Sequence, residues 1–406
     1  MTQATTLRVL HLADSLDGGG AEGVFRSTIA ASAQFASSVK TLVADGNATP
    51  VSYVFSVRNR RRVARALEAF EPDVVHVQNY YHVLSPSVLW ALARHKRRRP
   101  ATRVVFTAHD YHLICPNSGM QHFPSGVRTN VPIDESPVRL WRRYDHRSRA
   151  HAALKVAQHV LAYRVLKLHR VFDDVIVPSR FLGAAVQNHG IDAAVHLVRN
   201  PLDIDIDVRG RDAADAGAKE QDPVVAAGVI RLAFVGRLVP EKGIAELITA
   251  LETDGGGREA ELHLFGDGPQ REELERLAAS ATGIRRVEFH GRLPHDELWR
   301  AVSAFDALVI PSIWYENAPQ VVIEAAAAGV PVLGNDLGGV AEMCGETLNA
   351  EVCDTADPRA LSAALQRLTA RPRDNALRHP HEYLPKTYER RLERIYRGRS
   401  PAADDE

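Results

Sequence analysis

The sequence predicts two successive α/β domains, each built on a largely parallel sheet with helices on both faces. Three observations predict it. Short apolar, β-branched runs alternate with longer amphipathic stretches along nearly the whole chain, the pattern that gives parallel sheets. The alternation breaks once, at 205–228, where the stretch is rich in Asp, Ala and Gly with little periodicity and reads as a linker or surface loop. The chain has 406 residues, a length that suits two or three domains of roughly 100–200 residues each.

In the first half the expected strands are LRVLHLA (7–13), VKTLVA (39–44), VSYVFSV (51–57), DVVHVQ (73–78), RVVFTAH (103–109), DDVIVPS (173–179) and AVHLVRN (194–200). Helical stretches fall between them, for example Val63–Phe70 and Leu154–Leu168. The second series is IRLAFVG (230–236), ELHLFGD (261–267), RVEFHG (286–291), ALVIPS (307–312) and PVLGND (331–336). HEYLPKTYERRLERIYRG (381–398) reads as a strongly charged final helix. The expected division is 1–204, a linker at 205–228, a second domain at 229–380, and a terminal helix within 381–406.

Composition is that of an ordinary soluble protein: 45% hydrophobic, 25% charged and 6% aromatic. Cys115, Cys344 and Cys353 are scattered, without a C-x-x-C or Cys/His ligand spacing, which argues against a disulfide framework or a zinc site and for a reducing compartment. The start MTQATTLRVLHLAD lacks the plan of a signal peptide. No apolar run reaches the ~18–20 residues that span a bilayer. A cytoplasmic protein is expected. Formal net charge is zero, yet residues 1–200 carry roughly +12 and the remainder roughly −12. The basic residues gather at Arg58–Arg65, Arg94–Arg99 and Arg139–Arg170. They are either solvated helix faces or a surface for something anionic, such as a membrane face or a lipid-phosphate acceptor. Nucleic acid fits less well, because no aromatics are interleaved for base stacking.

Gly18, Gly20 and Gly23 form G-x-G-x-x-G after the first strand, with Asp45 further on, the outline of a dinucleotide fingerprint. The polar segment DSLD separates the glycines from the strand, whereas the fingerprint's first Gly turns directly off it. A Gly loop opening a helix whose amides face a phosphate, or a plain turn, fits better than a nicotinamide or flavin site.

Two motifs carry chemistry. Within PSIWYENAPQVVIEAAAAGVPVLGND, Glu316 and Glu324 form E-x7-E. A strand ends at Ser312, a loop carries Glu316, and a helix is expected from about Pro319. Both carboxylates then face the C-terminal edge of the sheet, where open α/β folds bind ligands. The amides of Asn317, Ala318, Gln320 and Val321 lie at a helix N-terminus suited to phosphate or sugar hydroxyls. GRLVPEKG (236–243) follows a strand and leads into a helix. Arg237 and Lys242 there suit a diphosphate and the negative charge developing on a leaving nucleoside diphosphate.

GRLVPEKG, LFGDGP (264–269), FHGRLP (289–294), the Glu316/Glu324 block and NDLGGVAE (335–342), in that order, resemble the donor domain of glycosyltransferase family 4. GGGAEG, DVVHVQN, FTAHDYHLICP (106–116), VIVPSRFL and VRNPLD resemble that family's N-terminal domain. The resemblance implies a GT-B fold, two Rossmann-like domains facing across a cleft, and retention of anomeric configuration. It implies that Arg237 and Lys242 hold the donor diphosphate and that Glu324 binds ribose hydroxyls. Glu316 and the amides after it would hold the transferred sugar. Gly266 and Asp267, with backbone near Arg292 and Leu293, would line the base pocket. Gly19 and Gly20 would approach the diphosphate, and His109 would lie by the sugar's reacting face. The final helix would cross back to the N-terminal domain.

Relatives with an HDYxxxCP segment often carry further cysteines downstream; here Cys115 is alone, which argues against a metal in the loop 118–142. DIDID (203–207) resembles a D-x-D metal motif but sits far from the donor blocks and reads as linker. No metal and no cofactor are expected; the nucleoside-diphosphate sugar is a substrate. The expected activity is retaining transfer of a hexose or related sugar to a hydroxyl of a glycan or lipid-linked acceptor, by a front-face reaction in which the leaving phosphate takes the acceptor's proton. A bacterial envelope or exopolysaccharide pathway would be consistent. The alternatives are a catalytically silent sugar-nucleotide-binding subunit and a nicotinamide-dependent enzyme using the Gly loop.

Overall fold

The computed structural model describes residues 7–16, 19–136, 138–202, 229–253, 259–371 and 375–400. Gly18, the stretch 205–228 and the DIDID segment therefore lie outside the described residues. The chain divides into two compact units, Met1–Pro201 with His381–Glu406, and Leu202–Pro380.

The first unit holds β1 (Arg8–Ala13), β2 (Ser38–Val43), β3 (Val74–Val77) and β4 (Arg103–Thr107). β5 (Gln121–His122) and β6 (Thr129–Asn130) form a separate antiparallel ribbon. β7 (Asp174–Val177) and β8 (Ala194–Leu197) complete a six-stranded sheet in the order β2-β1-β3-β4-β7-β8, parallel at every pairing. β3 and β7 are buried along their whole length, as central strands covered on both faces must be. Burial there includes two polar side chains, and each is partnered. Asp174 accepts from Arg103 Nε (2.6 Å) and Nη2 (2.9 Å) and lies 2.8 Å from His196. His76 lies between the Thr107 hydroxyl (2.7 Å) and the Tyr396 hydroxyl (2.6 Å).

Tyr396 belongs to the helix Pro385–Tyr396, which packs in the first unit. Its apolar face, Tyr388, Leu392, Ile395 and Tyr396, joins Leu7, Val9, Val74, Val105 and Ile176 in one core. The Arg and Glu residues that make the segment look uniformly charged occupy its other positions, except Arg391, which is buried in a two-pronged bond to Glu382 at 2.6 and 2.7 Å.

One expected strand is a helix. VSYVFSV (51–57) splits between helix Pro50–Val54 and the start of helix Val57–Phe70. Thr49 and Ser52 close a capping box, Pro50 sits in the first turn, and Ser56 accepts from the Asn59 amide at 3.2 Å. Capping outweighs the β-branched composition. The expected helix Leu154–Leu168 is in part a π-turn: helix Arg149–His159 continues into Val160–Val165.

The second unit holds β9 (Val229–Val235), β10 (Glu259–Phe265), β11 (Arg286–Gly291), β12 (Ala307–Ile310), β13 (Val332–Asn335) and β14 (Ala350–Cys353). Their order is β11-β10-β9-β12-β13-β14, again parallel throughout. Leu232, Phe234, Leu262, Leu264, Val309 and Leu333 form its core with Ile244, Leu247, Leu251, Leu361 and Leu365 from helices Ile244–Thr253 and Pro358–Thr369. The chain leaves β9 towards β10 and β11 on one side, then returns to build β12, β13 and β14 on the other. The strand order reverses between β9 and β12, and in open α/β sheets such a switch point is where the loops diverge and leave a crevice.

Candidate functional site

The loops after β9 and β12 bring together two residues 74 positions apart. After β9, a 3-10 turn Pro240–Lys242 ends at Gly243 with φ +69°, ahead of helix Ile244–Thr253. After β12, the loop to helix Gln320–Ala327 carries Glu316. Lys242 Nζ donates to Glu316 Oε1 at 2.6 Å, and Ser312 Oγ donates to the same oxygen at 2.8 Å. Burial alone would raise the Glu316 carboxyl. Lys242, by charge and by hydrogen bond, outweighs it together with the Ser312 hydroxyl and holds the group below the ordinary carboxylate range. The two side chains are 24% and 11% exposed, so the pair is partly desolvated and its attraction is little screened.

Backbone contacts fix this geometry. A Cβ on Gly243 would lie 2.0 Å from the Pro311 carbonyl oxygen, and one on Gly339 would lie 1.9 Å from that of Asn317. Only glycine lets these loops approach so closely. Ile313 donates its amide to the Glu241 carbonyl at 3.0 Å, and Gly339 donates to the Glu316 carbonyl at 2.8 Å. Asn335 Nδ2 donates to the Ser312 carbonyl at 2.9 Å.

A second set of loops interlocks beside it. Gly236 donates to the Phe265 carbonyl (3.0 Å), Leu238 to Asp267 (3.1 Å), Gln270 to Leu238 (3.0 Å) and Gly266 to Gly291 (2.7 Å). Gly266 has φ +144°, and a Cβ there would lie 1.8 Å from the Gly236 carbonyl oxygen. The loops after β9, β10 and β11 are thus stitched into one ledge at the C-terminal edge of the sheet.

The remaining residues distribute as follows. Arg237, Asp267 and Arg292 are exposed, and Leu293 is half-buried. Arg237 pairs with no described acidic residue, which leaves its guanidinium open to an anion. Helix Gln320–Ala327 starts one residue after Pro319, so Glu324 is its fifth residue. Glu324 lies 3.5 Å from His295 Nε2, which in turn accepts from Trp299 Nε1 at 3.2 Å. Asn317, Ala318, Gln320 and Val321 are half-buried around the first turn. The structure brings Lys242 and Glu316 into contact; it does not join Arg237 or Glu324 to that pair directly. Ser312, Gly243, Asn335 and Gly339 support the pair and were not singled out from the sequence. Gly243 and Gly339 stood within quoted motifs, and their spacing to Lys242 and Glu316 was the available signal.

In the first unit, Gly19 and Gly20 are exposed at the start of helix Gly20–Phe35, which has no side-chain cap. β1 ends at Ala13, with six residues between it and the helix, so Gly19 and Gly20 do not turn directly off the strand. Asp14 instead accepts the amides of His82 (2.8 Å), Val83 (3.1 Å) and Leu84 (2.7 Å). Asp45, the would-be ribose carboxylate, pairs with Arg58 at 2.8 Å on the surface. His109 follows β4 and bonds through Nε2 to Gln78 Oε1. Burial pushes its imidazole down to about 4, so it is neutral at pH 7. Beside it, burial lifts the Asp110 carboxyl to about 6 against hydrogen bonds from Tyr81 and the His112 amide. Cys115 is buried, and burial raises its thiol to about 12.

Two parallel six-stranded α/β units on one chain, the second carrying a ledge of interlocked loops and a Lys–Glu pair at its switch point, are the architecture of the GT-B class of glycosyltransferases. Residues 9–206 match the model of Glycosyltransferase Family 4, and residues 218–386 match that of Glycosyl transferases group 1. The chain belongs to glycosyltransferase family 4. It is 36% identical over 116 residues to 2-deoxystreptamine glucosyltransferase of Streptomyces kanamyceticus, covering 28% of this chain and 30% of that one. It is 30% identical over 190 residues to the GDP-mannose-dependent alpha-mannosyltransferase of Corynebacterium glutamicum, covering 47% and 42%. The chain thus spans less than half the length of these curated relatives. The crystal structure of Anabaena HepE in complex with UDP and glucose shares the fold, with a TM-score of 0.62, 18% identity and coverage of 97% of this chain and 100% of that one.

Proposed function

We propose that the protein transfers a sugar from a nucleoside-diphosphate donor to a hydroxyl of a glycan or lipid-linked acceptor, with retention of anomeric configuration. The Lys242–Glu316 pair at the switch point carries this reading. Lys242 and the open guanidinium of Arg237 are suited to a diphosphate and to the charge that develops as it leaves. Glu316 keeps one oxygen engaged by Lys242 and Ser312, a carboxylate arranged to accept from sugar hydroxyls rather than to attack carbon. The reaction that fits is a front-face displacement in which a departing phosphate oxygen takes the acceptor's proton. The ledge of Gly266, Asp267, Arg292 and Leu293 is assigned to the base, Glu324 to ribose hydroxyls, and the turn Asn317–Val321 to the sugar. Gly19, Gly20 and His109 are assigned to the diphosphate and the sugar; the neutral His109 imidazole suits a hydrogen bond, not a charge. That HepE was crystallised with UDP and glucose supports a donor of this kind.

The acceptor is proposed to be presented at an anionic membrane face. Leu140 and Trp141 are 69% and 81% exposed beside Arg139, which is 40% exposed and shares Glu135 with the largely buried Arg142; exposed apolar side chains next to a cation suit an interface with anionic headgroups. No helix among the described residues is long and apolar enough to cross a membrane.

A thermal-shift screen against UDP, GDP, ADP, CMP, their sugar conjugates and NADH, repeated on Lys242→Ala, tests the donor site. A ligand at 100 times its dissociation constant adds ~2.7 kcal/mol to the folded state. One nucleoside diphosphate should stabilise the wild type and lose that effect in the variant. Stabilisation by NADH alone, unchanged in the variant, would overturn the reading.

A further inference from the structure

The outer strands of the second unit hold a cluster of side chains that the donor site does not use. β10 and β11 pair in parallel, with His263 opposite Glu288. The register then slips: Leu264 pairs with Phe289, but Phe265 pairs with Gly291. His290 is left over as a bulged residue, and a bulge re-aims its side chain. Here it aims at His263. His263 Nδ1 and His290 Nε2 lie 2.9 Å apart, and Glu288 Oε2 lies 3.5 Å from the same Nδ1. One ligand atom from each of the three residues falls within 4.8 Å of the others.

We propose that His263, Glu288 and His290 bind a divalent transition-metal ion of the zinc type, with water as the fourth ligand. The ligand set is two imidazoles and one carboxylate, which such ions favour. The imidazole planes differ by 11° with ring centres 5.2 Å apart, so the two nitrogens meet head to head and share one proton. Replacing that proton with an ion ~2.0–2.1 Å from each nitrogen asks for a nitrogen separation of ~3.3 Å in a tetrahedron. The nitrogens must open by a few tenths of an ångström and the rings must tilt, so that lone pairs now on one line converge on the ion at about 109°.

The surroundings support the assignment. Both histidines stand on strands, which hold ligands more rigidly than loops. Phe265 stacks on His290 with ring centres 4.4 Å apart, and Phe305 lies 4.7 Å from His263. These rings fix both imidazoles and keep water off one side. The other nitrogen of His263, Nε2, is buried without a hydrogen-bond partner and faces Glu261 Oε2 at 3.9 Å. A proton on Nε2 leaves the Nδ1 lone pair free for the ion, with a carboxylate behind the ring, the arrangement that orients metal-binding histidines. One cation competes: Arg286 Nη2 lies 3.0 Å from Glu288 Oε2. Its guanidinium is largely exposed and can swing into water. A bound ion would staple the edge strand at the residue before Gly291, whose carbonyl holds the Gly266 amide.

The sequence reading assigned no metal. Glu288-x-His290 puts both side chains on one face of a strand, but nothing in the chain order ties them to His263.

The test is calorimetric titration of the chelator-stripped full chain with ZnCl2, with the visible absorption of Co2+ as a second readout. One ion per chain with a tetrahedral Co2+ spectrum is expected. His290→Ala should weaken binding at least about tenfold, Arg286→Ala should tighten it, and exposed His151→Ala should leave it unchanged. Equal binding by wild type and His290→Ala, or weaker binding by Arg286→Ala, would place the ion elsewhere and overturn the proposal, as would absence of binding.

Discussion

The proposed chemistry turns on Lys242 and Glu316, and each makes a separable prediction. Lys242→Ala removes the main cation from a mostly buried carboxylate. Breaking one partner of such a pair is costly because the remaining charge is left uncompensated. The variant should melt below the wild type without ligand, and kcat/KM on the donor should fall by about 10²–10³. Steady-state kinetics beside a melting curve separate the two effects. Glu316→Gln keeps the shape but removes the charge and one acceptor role. It should lower kcat/KM while leaving nucleoside-diphosphate affinity within a few-fold, because the carboxylate is assigned to the sugar and not to the phosphates. A loss of UDP or GDP binding as large as in Lys242→Ala would refute that division. The Glu316 carboxyl is held low in the folded state, so the pair persists at neutrality and is lost only as the pH falls through that lowered value.

At the scale of elements, glycine and the final helix decide most. Gly266→Ala would drive a Cβ to within 1.8 Å of the Gly236 carbonyl oxygen, at a backbone angle that side chains avoid. The ledge can relieve this only by giving up hydrogen bonds between the β9, β10 and β11 loops. A loss of more than about 2 kcal/mol by urea denaturation is expected; wild-type stability would show that the ledge is looser than described. Helix Pro385–Tyr396 covers Leu7, Val9, Val74 and Val105 and places Tyr396 against buried His76. Tyr396→Phe should cost about 1–3 kcal/mol, because it strands a buried imidazole nitrogen. Truncation before Pro385 should leave the first unit aggregated, since a bare apolar face of that extent does not stay in water.

Elements also show where the sequence was readable. The strand runs of both halves were legible because central parallel strands are continuous apolar segments, and β3, β7 and β12 are buried throughout. VSYVFSV misled because its composition favours strand while Thr49, Pro50, Ser52 and Ser56 cap helices. β14 was missed because AEVC is four residues long and half-exposed over three of them, so it carries no periodic signal.

For the whole molecule, the histidines of the first unit set its response to acid. Burial lowers His11 to about 3, His109 to about 4 and His159 to about 3. In the unfolded chain each titrates near its ordinary value, about 6.5. Below that value the unfolded state binds more protons, so stability is full above about pH 6.5 and falls as pH drops towards 4. Each histidine costs up to ~1.4 kcal/mol per pH unit in that window. Asp110, raised to about 6, acts the other way: its contribution is present in acid and lost as pH rises through 6. Burial also lowers His76 and His112, so Asp110 opposes at least five imidazoles and the net change is a loss on acidification. Denaturation followed by a probe in the first unit at pH 7, 6 and 5 should show it; a flat profile would mean that these imidazoles are solvated.

The chain by itself determined the architecture and which loops carry the proposed site. The alternation of β-branched runs with amphipathic stretches follows from the two backbone periodicities, and each half repeats it independently. GRLVPEKG and the E-x7-E block sit at strand ends, where side chains face the open edge of a sheet whatever the details of packing. Strand order and contact were left to the tertiary structure. Only the reversal between β9 and β12 brings Lys242 to Glu316, and only the pairing of β10 with β11 sets Glu288 and His290 beside His263. Such pairings depend on which strands become neighbours and in what register. That choice minimises exposed apolar surface over a whole unit, and no local stretch of sequence records it.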